Sequence, residues 1–442
     1  MKFQIRICLF LLFSLITLAN ASDWPAWRGP LGTGEAPDGK PPVQFSETQN
    51  IKWKTPIPGK GLSTAIVYGN QIFITSAVDS DKPVTEEDKK NQENMPMWLR
   101  ASGTANSAEK MQNFIVYSIS LETGDVLWQK TVREQLPHEG THKDGSWASN
   151  SCVTDGTHLF AFFGSYGLYC LTLNGELVWQ KDLGDMSTRN QFGAGSSPAL
   201  YDKYLVINWD HEGDSFITVL NKNNGNEFWR KNRDEKTSWT TPVIVEVDNR
   251  MQVIVSGTNA SIGYDLATGD IIWQLSGMTG NVIPTPVLQN NVVYLISGFR
   301  GNALQAVKLD GATGNLDGTE SVLWSRDEKI TPYVPSPLLY QGNLYFFFGN
   351  KEQLSCVDVK TGTIHYAKQD IEDMKGVYAS PVAADGKIYV AGRNGFVAVI
   401  QPGPEYKLIA GNTLDDNFDA SPAIAGNNLI LRGLKNLYCF SK

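Results

Sequence analysis

The amino-acid sequence predicts an all-β fold, an eight-bladed β-propeller with four strands in each blade. Three observations support this prediction. A Ser/Thr-Pro signal followed by an apolar strand recurs along the chain, and turns and a tryptophan-bearing strand follow most copies. The composition, 41% apolar with 41 glycines and 21 prolines, is typical of a folded, turn-rich β chain. The four-strand repeat therefore indicates one domain despite the chain length.

The first 21 residues have the pattern of a secretory signal peptide. Lys2 and Arg6 precede an apolar run from residue 7 to 18, and Ala19-Asn20-Ala21 offers small residues for cleavage after Ala21. The run is too short to span a bilayer, and no later segment is long and apolar enough. Cys8 lies inside the run, so we expect no lipid anchor. The sequence thus predicts an exported protein, periplasmic or secreted, with an extension over residues 22–49 before a propeller over residues 50–442.

The charge of the chain argues against nucleic acid as a partner. The net charge is −8 over the full sequence. Cleavage after Ala21 removes two cations and no acid, which makes it −10. An acidic chain without a basic run repels phosphate backbones.

Eight repeat starts can be aligned, and they define the blades. The clear copies share a hydroxyl residue before proline and are Ser197-Pro198, Thr241-Pro242, Thr285-Pro286, Ser336-Pro337, Ser380-Pro381 and Ser421-Pro422. Degenerate copies lie at Ser63-Thr64 and Asn150-Ser151. The first spacing, 87 residues, is roughly twice the others because residues 77–112 are an insertion in the first blade.

A tryptophan marks the fourth strand of most repeats, and we predict a structural role in which each covers the strands of a neighbouring blade. These residues are Trp53, Trp128, Trp179, Trp229, Trp273 and Trp324, with Tyr366 in the sixth repeat. The last repeat ends after its third strand. Residues 50–55, which carry Trp53, supply the missing strand, and the closed ring leaves no open edge for another chain. We therefore expect a monomer.

Residues 268–273, Thr-Gly-Asp-Ile-Ile-Trp, resemble the tryptophan-docking motif of pyrroloquinoline-quinone (PQQ) repeat propellers. This motif occurs together with Trp147-Ala148-Ser149, Arg189-Asn190 and the segment 24–30. In this combination the chain is similar to exported PQQ-like propellers of planctomycete-type bacteria. The resemblance implies relatives of two kinds. Quinoprotein alcohol dehydrogenases hold PQQ and Ca²⁺ on the axis, and the outer-membrane assembly lipoprotein binds proteins.

The residues favour a binding scaffold over an oxidoreductase. The adjacent cysteine pair that stacks on PQQ in quinoprotein dehydrogenases is absent, as are a Cys-x-x-Cys-His haem motif and a matching Ca²⁺ ligand set. We therefore predict a scaffold for a protein, glycan or small ligand and expect no cofactor. The alternative is a PQQ- and Ca²⁺-dependent oxidoreductase. A third hypothesis, a hydrolase using the His142 and Arg189 region, is weaker.

Two local patterns invite a chemical interpretation. Residues 138–142 read His-Glu-x-x-His, but Pro137 and Gly140 argue against the helix that a zinc peptidase needs. The four cysteines after residue 21 are Cys152, Cys170, Cys356 and Cys439. The last three occupy one third-strand position in different repeats, which indicates a small packed side chain. A Cys152–Cys170 disulfide within one blade stays open.

The loops between second and third strands, and those joining blades, are expected on one face around the axis, where ligands bind. The predicted binding residues are His142, Arg189, Asp210, His211, Asp234, Glu235, Trp239, Arg300, Lys351 and Arg393. Tyr166, Asp416, Asp419 and Lys435 are placed on the same face. The cations Arg300, Lys351, Arg393 and Lys435 follow a loop glycine in successive blades. They either form an anion-binding row or pair with neighbouring acids.

The insertion is expected on this face too. Its segment 95–99, Met-Pro-Met-Trp-Leu, is either a lid or docking element, or an irregular loop packed on the first blade.

Overall fold

The computed structural model describes residues 23–442, so the predicted signal peptide lies outside the described residues. Seven four-stranded sheets and one five-stranded sheet form eight antiparallel blades, which confirms the predicted all-β propeller. The described helices are short: an α-helix over Met97–Ser102 and 3-10 turns over Gly164–Tyr166 and Arg189–Gln191. None of the helices described could cross a membrane.

In blades 1 to 7, the four strands follow one another in the chain, from the axis outward. Blade 1 contains Ile66–Tyr68, Gln71–Asp79, Gln112–Ser120 and Val126–Gln135. Blade 2 contains Val153–Thr154, His158–Phe162, Leu168–Thr172 and Leu177–Lys181. Blade 3 contains Ala199–Tyr201, Tyr204–Trp209, Phe216–Asn221 and Glu227–Asn232. Blade 4 contains Val243–Val247, Arg250–Val255, Ser261–Asp265 and Ile271–Leu275.

The second half of the ring repeats this order. Blade 5 contains Val287–Gln289, Val292–Ser297, Ala303–Lys308 and Val322–Arg326. Blade 6 contains Leu338–Tyr340, Asn343–Phe347, Gln353–Asp358 and Ile364–Asp370. Blade 7 contains Val382–Ala384, Lys387–Ala391, Phe396–Gln401 and Lys407–Thr413. Blade 8 contains Ala423–Ala425, Asn428–Arg432 and Asn436–Phe440.

The fourth strand of blade 8 comes from the N-terminal side of the chain, as predicted. Ile51–Pro56 pairs antiparallel with Asn436–Phe440, and Trp53 lies opposite Cys439. This pairing joins the two ends of the propeller and closes the ring, so blade 8 has no unpaired outer edge at that strand.

A belt of hydroxyl hydrogen bonds connects the blades around the axis. At seven of the eight repeat starts, the hydroxyl residue accepts a hydrogen bond from the backbone N–H of its counterpart in the preceding blade. Seven such bonds of 2.9–3.1 Å join Thr64, Ser151, Ser197, Thr241, Thr285, Ser336, Ser380 and Ser421 in that order. The recurring Ser and Thr of the repeat are therefore explained by inter-blade hydrogen bonding.

The belt is interrupted between blades 8 and 1. The hydroxyl of Thr64 is buried without a partner among the described residues. There the buried Arg432 guanidinium donates to the Ser63 hydroxyl at 2.5 Å. An arginine therefore connects blades 8 and 1, next to the belt position at which the hydroxyl link is missing.

Five of the predicted structural tryptophans dock on the next blade in the same way. The indole N–H of each donates to a backbone carbonyl at the end of a third strand, at 2.8–3.1 Å, and the ring lies on a turn glycine of that blade. The pairs are Trp53 with Gly124, Trp128 with Gly175, Trp179 with Gly225, Trp229 with Gly269, and Trp324 with Gly362.

Trp273 departs from this pattern. Its indole N–H donates to the Gln252 side chain of its own blade at 3.0 Å. The equivalent turn of blade 5 is displaced, because Gly314–Asn315 adds a short parallel strand beside Trp273 and Gln274. Trp273 therefore differs from the other five tryptophans in its hydrogen-bond partner, although it is buried in an apolar cluster with Val293 and Leu295 of blade 5.

The core consists of apolar layers between adjacent blades. The third-strand position opposite the docking aromatic takes a small side chain, and Cys170, Cys356 and Cys439 lie there opposite Trp179, Tyr366 and Trp53. All four described cysteines are free and buried, so Cys152 and Cys170 form no disulfide. Burial raises the pKa of each of these thiols to about 12.

The insertion leaves blade 1 between its second and third strands, as predicted, but covers residues 80–111. It is shorter than the predicted 77–112 because the flanking strands, Gln71–Asp79 and Gln112–Ser120, pair along all nine residues. Leu99 of its helix is buried, whereas Met97 and Trp98 are 86% and 62% exposed.

Candidate functional site

The axial channel holds a cavity of about 660 Å³ on the face that carries the insertion. All eight blades contribute to it through the same repeat position, two residues before the belt hydroxyl. These residues are Leu62, Ser149, Gly195, Trp239, Ile283, Val334, Tyr378 and Asp419. We call this cavity the axial pocket. Because the eight positions differ in chemistry, a symmetric scaffold produces an asymmetric pocket.

The N-terminal extension forms the floor of the axial pocket. Trp27 lines both this pocket and a second cavity of about 500 Å³ nearer the opposite mouth. The extension crosses the channel by pairing with innermost strands, since Trp24 exchanges backbone hydrogen bonds with Val67 of blade 1 and Ala383 of blade 7 donates to Gly34. The axial pocket therefore ends at Trp27 instead of continuing as an open channel.

Arg28 anchors this segment. Its guanidinium donates to the carbonyl oxygens of Pro337, Pro381 and Thr33 at 3.0–3.1 Å. The side chain is buried, and burial lowers the pKa of Arg28 to about 9. Two carbonyls of the blades and one of the extension itself thus hold this cation without a carboxylate.

Aromatic rings make up much of the pocket wall. They are Trp98 from the insertion, Phe192, Trp239, Phe299, Tyr333 and Tyr378. Several are fixed by their own contacts: the Trp239 indole donates to the Gly193 carbonyl at 2.7 Å, and Phe299 stacks on Tyr333 at 4.6 Å. Preformed ring faces of this kind suit a ligand with flat apolar surfaces.

Two unpaired cations, Arg189 and Arg300, mark one side of the pocket. Both guanidinium groups act electrostatically on the Tyr333 hydroxyl. Burial raises the pKa of Tyr333, and the two positive charges act in the opposite direction. The Arg300 guanidinium lies 5.3 Å from the Phe299 ring centroid. Neither guanidinium makes a hydrogen bond or ion pair with any residue in the described part of the chain. These two groups can bind an anion.

The opposite side carries two acids that are already paired. Arg393 binds Asp419 at 2.6 Å and Asp144 at 3.3 Å, and its guanidinium lies 3.9 Å above the Tyr378 ring. Burial raises the pKa of Asp419, while the ion pair with Arg393 acts in the other direction. Lys60 lies near both acids: burial lowers the pKa of Lys60, while Asp144 and Asp419 act in the other direction. Arg393 and Lys60 together balance the charge of the two carboxylates, whose oxygens keep free lone pairs for hydrogen-bond donors.

His142 lies next to this ion-pair cluster. Its Nδ1 accepts the backbone N–H of Asp144 at 3.2 Å, and its ring meets Phe192 edge-on at 4.7 Å. Burial lowers the pKa of His142, so the ring is neutral at pH 7.

The structure places four of the ten predicted binding residues in the wall of the axial pocket: His142, Arg189, Trp239 and Arg300. Arg393 lies behind the wall in its ion pairs. Lys351 is exposed, with its ammonium 5.6 Å from the Phe348 ring. Lys435 lies 4.0 Å from Asp415. The four cations therefore do not form one anion-binding row.

Asp210 and His211 were predicted to face the pocket, but they do not line it. Both side chains instead stabilise the loop structure of blade 3. Asp210 is fully buried and pairs with Arg233 at 2.8 Å. The His211 Nδ1 accepts the Ser187 backbone N–H at 3.1 Å. Both side chains turn inward to satisfy buried polar groups.

Asp234 and Glu235 are also absent from the pocket wall. Asp234 is exposed, and its backbone carbonyl accepts the Asn259 side chain. The buried Glu235 carboxylate accepts the backbone N–H groups of residues 258, 259 and 260 at 2.9–3.0 Å. This carboxylate organises the loop between the second and third strands of blade 4.

Sequence reasoning missed Trp27, Phe192, Phe299, Tyr333 and Asn281, which also line the pocket. Tyr378 also lines the pocket and was not among the predicted binding residues. The sequence did contain a signal for it, because Tyr378 stands two residues before a belt hydroxyl, as Trp239 does. For Trp27 and Phe299 the repeat pattern gives no such signal, because an extension and an irregular loop bring them to the axis.

The His-Glu-x-x-His segment does not form a zinc site. Thr141–His142 is a short strand that pairs with Ala105–Asn106. His138 contacts the Met186 carbonyl through Nε2 at 2.8 Å, and Glu139 accepts both the backbone N–H and the hydroxyl of Thr188. Burial raises the pKa of Glu139 to about 8. These groups support the loop that carries Arg189.

The Ca²⁺ ligands that accompany PQQ in a quinoprotein dehydrogenase have no counterpart among the described residues. Nowhere in residues 23–442 do three His, Cys, Asp or Glu side chains converge as metal ligands. Asp144 and Asp419, the acids beside the pocket, are both bound to Arg393. The cysteines are single and buried inside blades. The oxidoreductase alternative therefore lacks a donor set in the described structure.

Comparison with known proteins supports the propeller type. The family model described as outer membrane protein assembly factor BamB matches residues 213–441, just over half of the chain. The chain belongs to this family. It is thus a PQQ-repeat propeller, as the tryptophan motif indicates.

Curated relatives of this family are distant in sequence. BamB of Shewanella oneidensis is 26% identical over 302 residues, which cover 65% of this chain and 66% of the relative. BamB of Shigella dysenteriae is 25% identical over 224 residues, covering 49% and 51%. The alignments thus span about half to two thirds of these relatives.

Solved structures share the fold. BamB from Moraxella catarrhalis superposes with a TM-score of 0.51 at 14% identity, covering 83% of this chain and 96% of that one. A europium-containing methanol dehydrogenase superposes with a TM-score of 0.65 at 9% identity, covering 97% and 100%. At these identities the similarity establishes the fold alone.

Proposed function

We propose that this chain is a binding scaffold whose insertion-bearing axial face captures a partner by taking an anionic, ring-bearing group into the axial pocket. The observation that carries this proposal is the pair of unpaired guanidinium groups, Arg189 and Arg300, in an aromatic pocket closed by Trp27. Arg189 is half-buried and Arg300 is exposed at the pocket, and neither guanidinium has an acidic partner among residues 23–442, so both are available to an anion.

Binding is favoured over catalysis by the contacts of the histidines. Among the described residues, the ring nitrogens of His138, His142 and His211 contact backbone groups, and no hydroxyl or thiol donates to a histidine ring nitrogen. The nucleophile and base of a hydrolase need such a contact. The names of the curated relatives, assembly factors, also fit a protein that works by binding.

The proposal is tested with 8-anilinonaphthalene-1-sulfonate, an aromatic anion that matches both features of the pocket. We expect one saturable site per chain, with binding weakened about tenfold by Arg300→Gln, because one charge-assisted contact contributes on the order of 1.5–3 kcal/mol. The matched control is Lys351→Gln, the equivalent cation of the next blade, which lies outside the pocket.

Equal affinity of Arg300→Gln, Lys351→Gln and the unchanged chain would contradict the proposal, as would several equivalent weak sites. Thermal unfolding of each variant verifies that the fold is intact, since this dye also binds partly unfolded chains.

We further propose that the protein acts as an exported monomer, periplasmic or secreted, after cleavage behind Ala21. N-terminal sequencing of the protein recovered outside the cytoplasm should begin at Ser22. A cytoplasmic chain that begins at Met1 would refute this part of the proposal.

A further inference from the structure

The polar groups of the axial pocket differ on its two sides. One side carries the free guanidinium groups of Arg189 and Arg300. The other presents the carboxylate oxygens of Asp144 and Asp419, whose two negative charges are balanced by Arg393 and Lys60. A fitting ligand therefore has an anionic group at one end and uncharged hydrogen-bond donors at the other.

The neutralised acids separate candidate ligands. A peptide or amine with an ammonium group would lose its hydration without meeting net negative charge, because Arg393 and Lys60 balance the charges of Asp144 and Asp419 and the other side carries only cations. Hydroxyl groups lose less hydration free energy than ammonium groups when they move from water into the pocket, and they can still donate hydrogen bonds to the carboxylate oxygens. The pocket thus favours hydroxyls over ammonium groups opposite the anion.

The walls add a second requirement. Trp239, Phe299 and Tyr378 line the wall, and Trp98 stands 62% exposed at the rim. Arg393 covers one face of Tyr378 and Tyr333 covers one face of Phe299, so the other ring surfaces of the wall are the ones available to a ligand. A pyranose ring has an apolar face of C–H groups and a rim of hydroxyls, so it can stack on aromatic rings while its edges make hydrogen bonds. A cavity of about 660 Å³ that ends at Trp27 has room for the last sugar units of a chain.

We infer that the axial pocket binds the end of an acidic oligosaccharide, with its carboxylate or sulfate on Arg189 and Arg300 and its hydroxyls toward Asp144 and Asp419. This inference rests on the proposed function, because it names the ligand class of the same pocket. The anion is a uronate or a sulfate ester, since both present several oxygens to guanidinium groups.

Competition with the anilinonaphthalene dye tests the inference on the full chain after residue 21. Trigalacturonate and a sulfated carrageenan tetrasaccharide are the two acidic probes, and the fully methyl-esterified trigalacturonate is the matched neutral sugar. We expect an acidic probe to displace the dye at least tenfold more effectively than the neutral ester, which corresponds to about one charge-assisted contact. The stronger acidic probe identifies carboxylate or sulfate as the anion.

Variants assign the contacts. Arg189→Gln and Arg300→Gln should each weaken the better probe about tenfold, whereas Lys351→Gln should leave it unchanged. Trp98→Ala should weaken both the acidic sugar and its neutral ester by a similar factor, because stacking does not depend on the charge.

Each outcome decides a separate point. If the dye binds at one site but no acidic sugar displaces it, the sugar inference is overturned while the proposed function stands. If triglutamate displaces the dye better than either acidic sugar, the partner is an acidic peptide and the sugar inference is again wrong. If the dye itself finds no site that depends on Arg300, both proposals fail.

Discussion

Substituting the turn glycine beneath a docked tryptophan tests how the blades are held together. Gly269 has φ +75°, and a Cβ atom there would lie 2.7 Å from Trp229 ring atoms and 2.8 Å from Lys231 Cε. Gly314 is the glycine of the same Thr-Gly motif in blade 5, but it lies in the short strand Gly314–Asn315, where φ is +71° and a Cβ atom would meet nothing within 4 Å. The two glycines therefore differ in the tryptophan contact and share the backbone conformation.

Alanine at either position costs about 1–2 kcal/mol for the left-handed backbone. At Gly269 the methyl group must also displace the indole. Overpacking of this kind costs about 1–3 kcal/mol. The hydrogen bond from Trp229 to the Leu266 carbonyl, 2.9 Å long, contributes about 0.5–1.5 kcal/mol more if it is lost. Gly269→Ala should thus lower the free energy of unfolding by about 2–4 kcal/mol beyond Gly314→Ala.

Urea unfolding followed by far-ultraviolet circular dichroism measures both variants against the unchanged chain. The Gly269→Ala midpoint should fall well below the Gly314→Ala midpoint, with similar slopes. Equal losses in the two variants would refute the reasoning, because the docking contact would then contribute nothing beyond backbone strain.

Three other predictions follow from buried groups. The four described cysteines should resist Ellman's reagent in the folded chain and all react after denaturation, and fewer than four thiols would contradict their free state. The pKa of Glu139 is about 8 in the folded state, against an ordinary value of 4.5. Between pH 4.5 and 8 the folded chain therefore binds more protons at this carboxyl than the unfolded chain does, so the free energy of unfolding should fall as the pH rises through this range. Glu139→Gln should flatten that decline in pH-dependent urea midpoints, and an unchanged slope would disprove the assignment. Arg28→Ala should destabilise the chain by about 2–4 kcal/mol, because the carbonyls of Pro337, Pro381 and Thr33 lose their donor. Arg230→Ala, which removes an exposed ion pair with Glu227, should cost about 0–1 kcal/mol, and equal urea midpoints would show that the Arg28 anchor is unimportant.

The site predictions failed where a loop position did not determine the direction of its side chain. Asp210 and Glu235 do belong to the loops that surround the axis, but each turns inward to satisfy buried groups, Arg233 in one case and three backbone N–H groups in the other. Arg300 and Lys351 follow equivalent glycines, yet only Arg300 of the two lines the pocket. Which donor meets which acceptor depends on loop geometry that the repeat does not encode.

The sequence by itself determined the repeat architecture. Propeller blades reuse one set of local contacts, so the belt hydroxyls, the turn glycines and the docking tryptophans recur at regular spacings and can be recognised without a structure. The closing strand that contains Trp53 was predictable for the same reason. Only the tertiary structure decided the chemistry of the axis, because the pocket combines one residue from each of eight blades with Trp27 of the extension and Trp98 of the insertion. Those residues are far apart in the chain and follow no common period, so their convergence, and the pair of unpaired arginines it creates, appears only when the ring is closed.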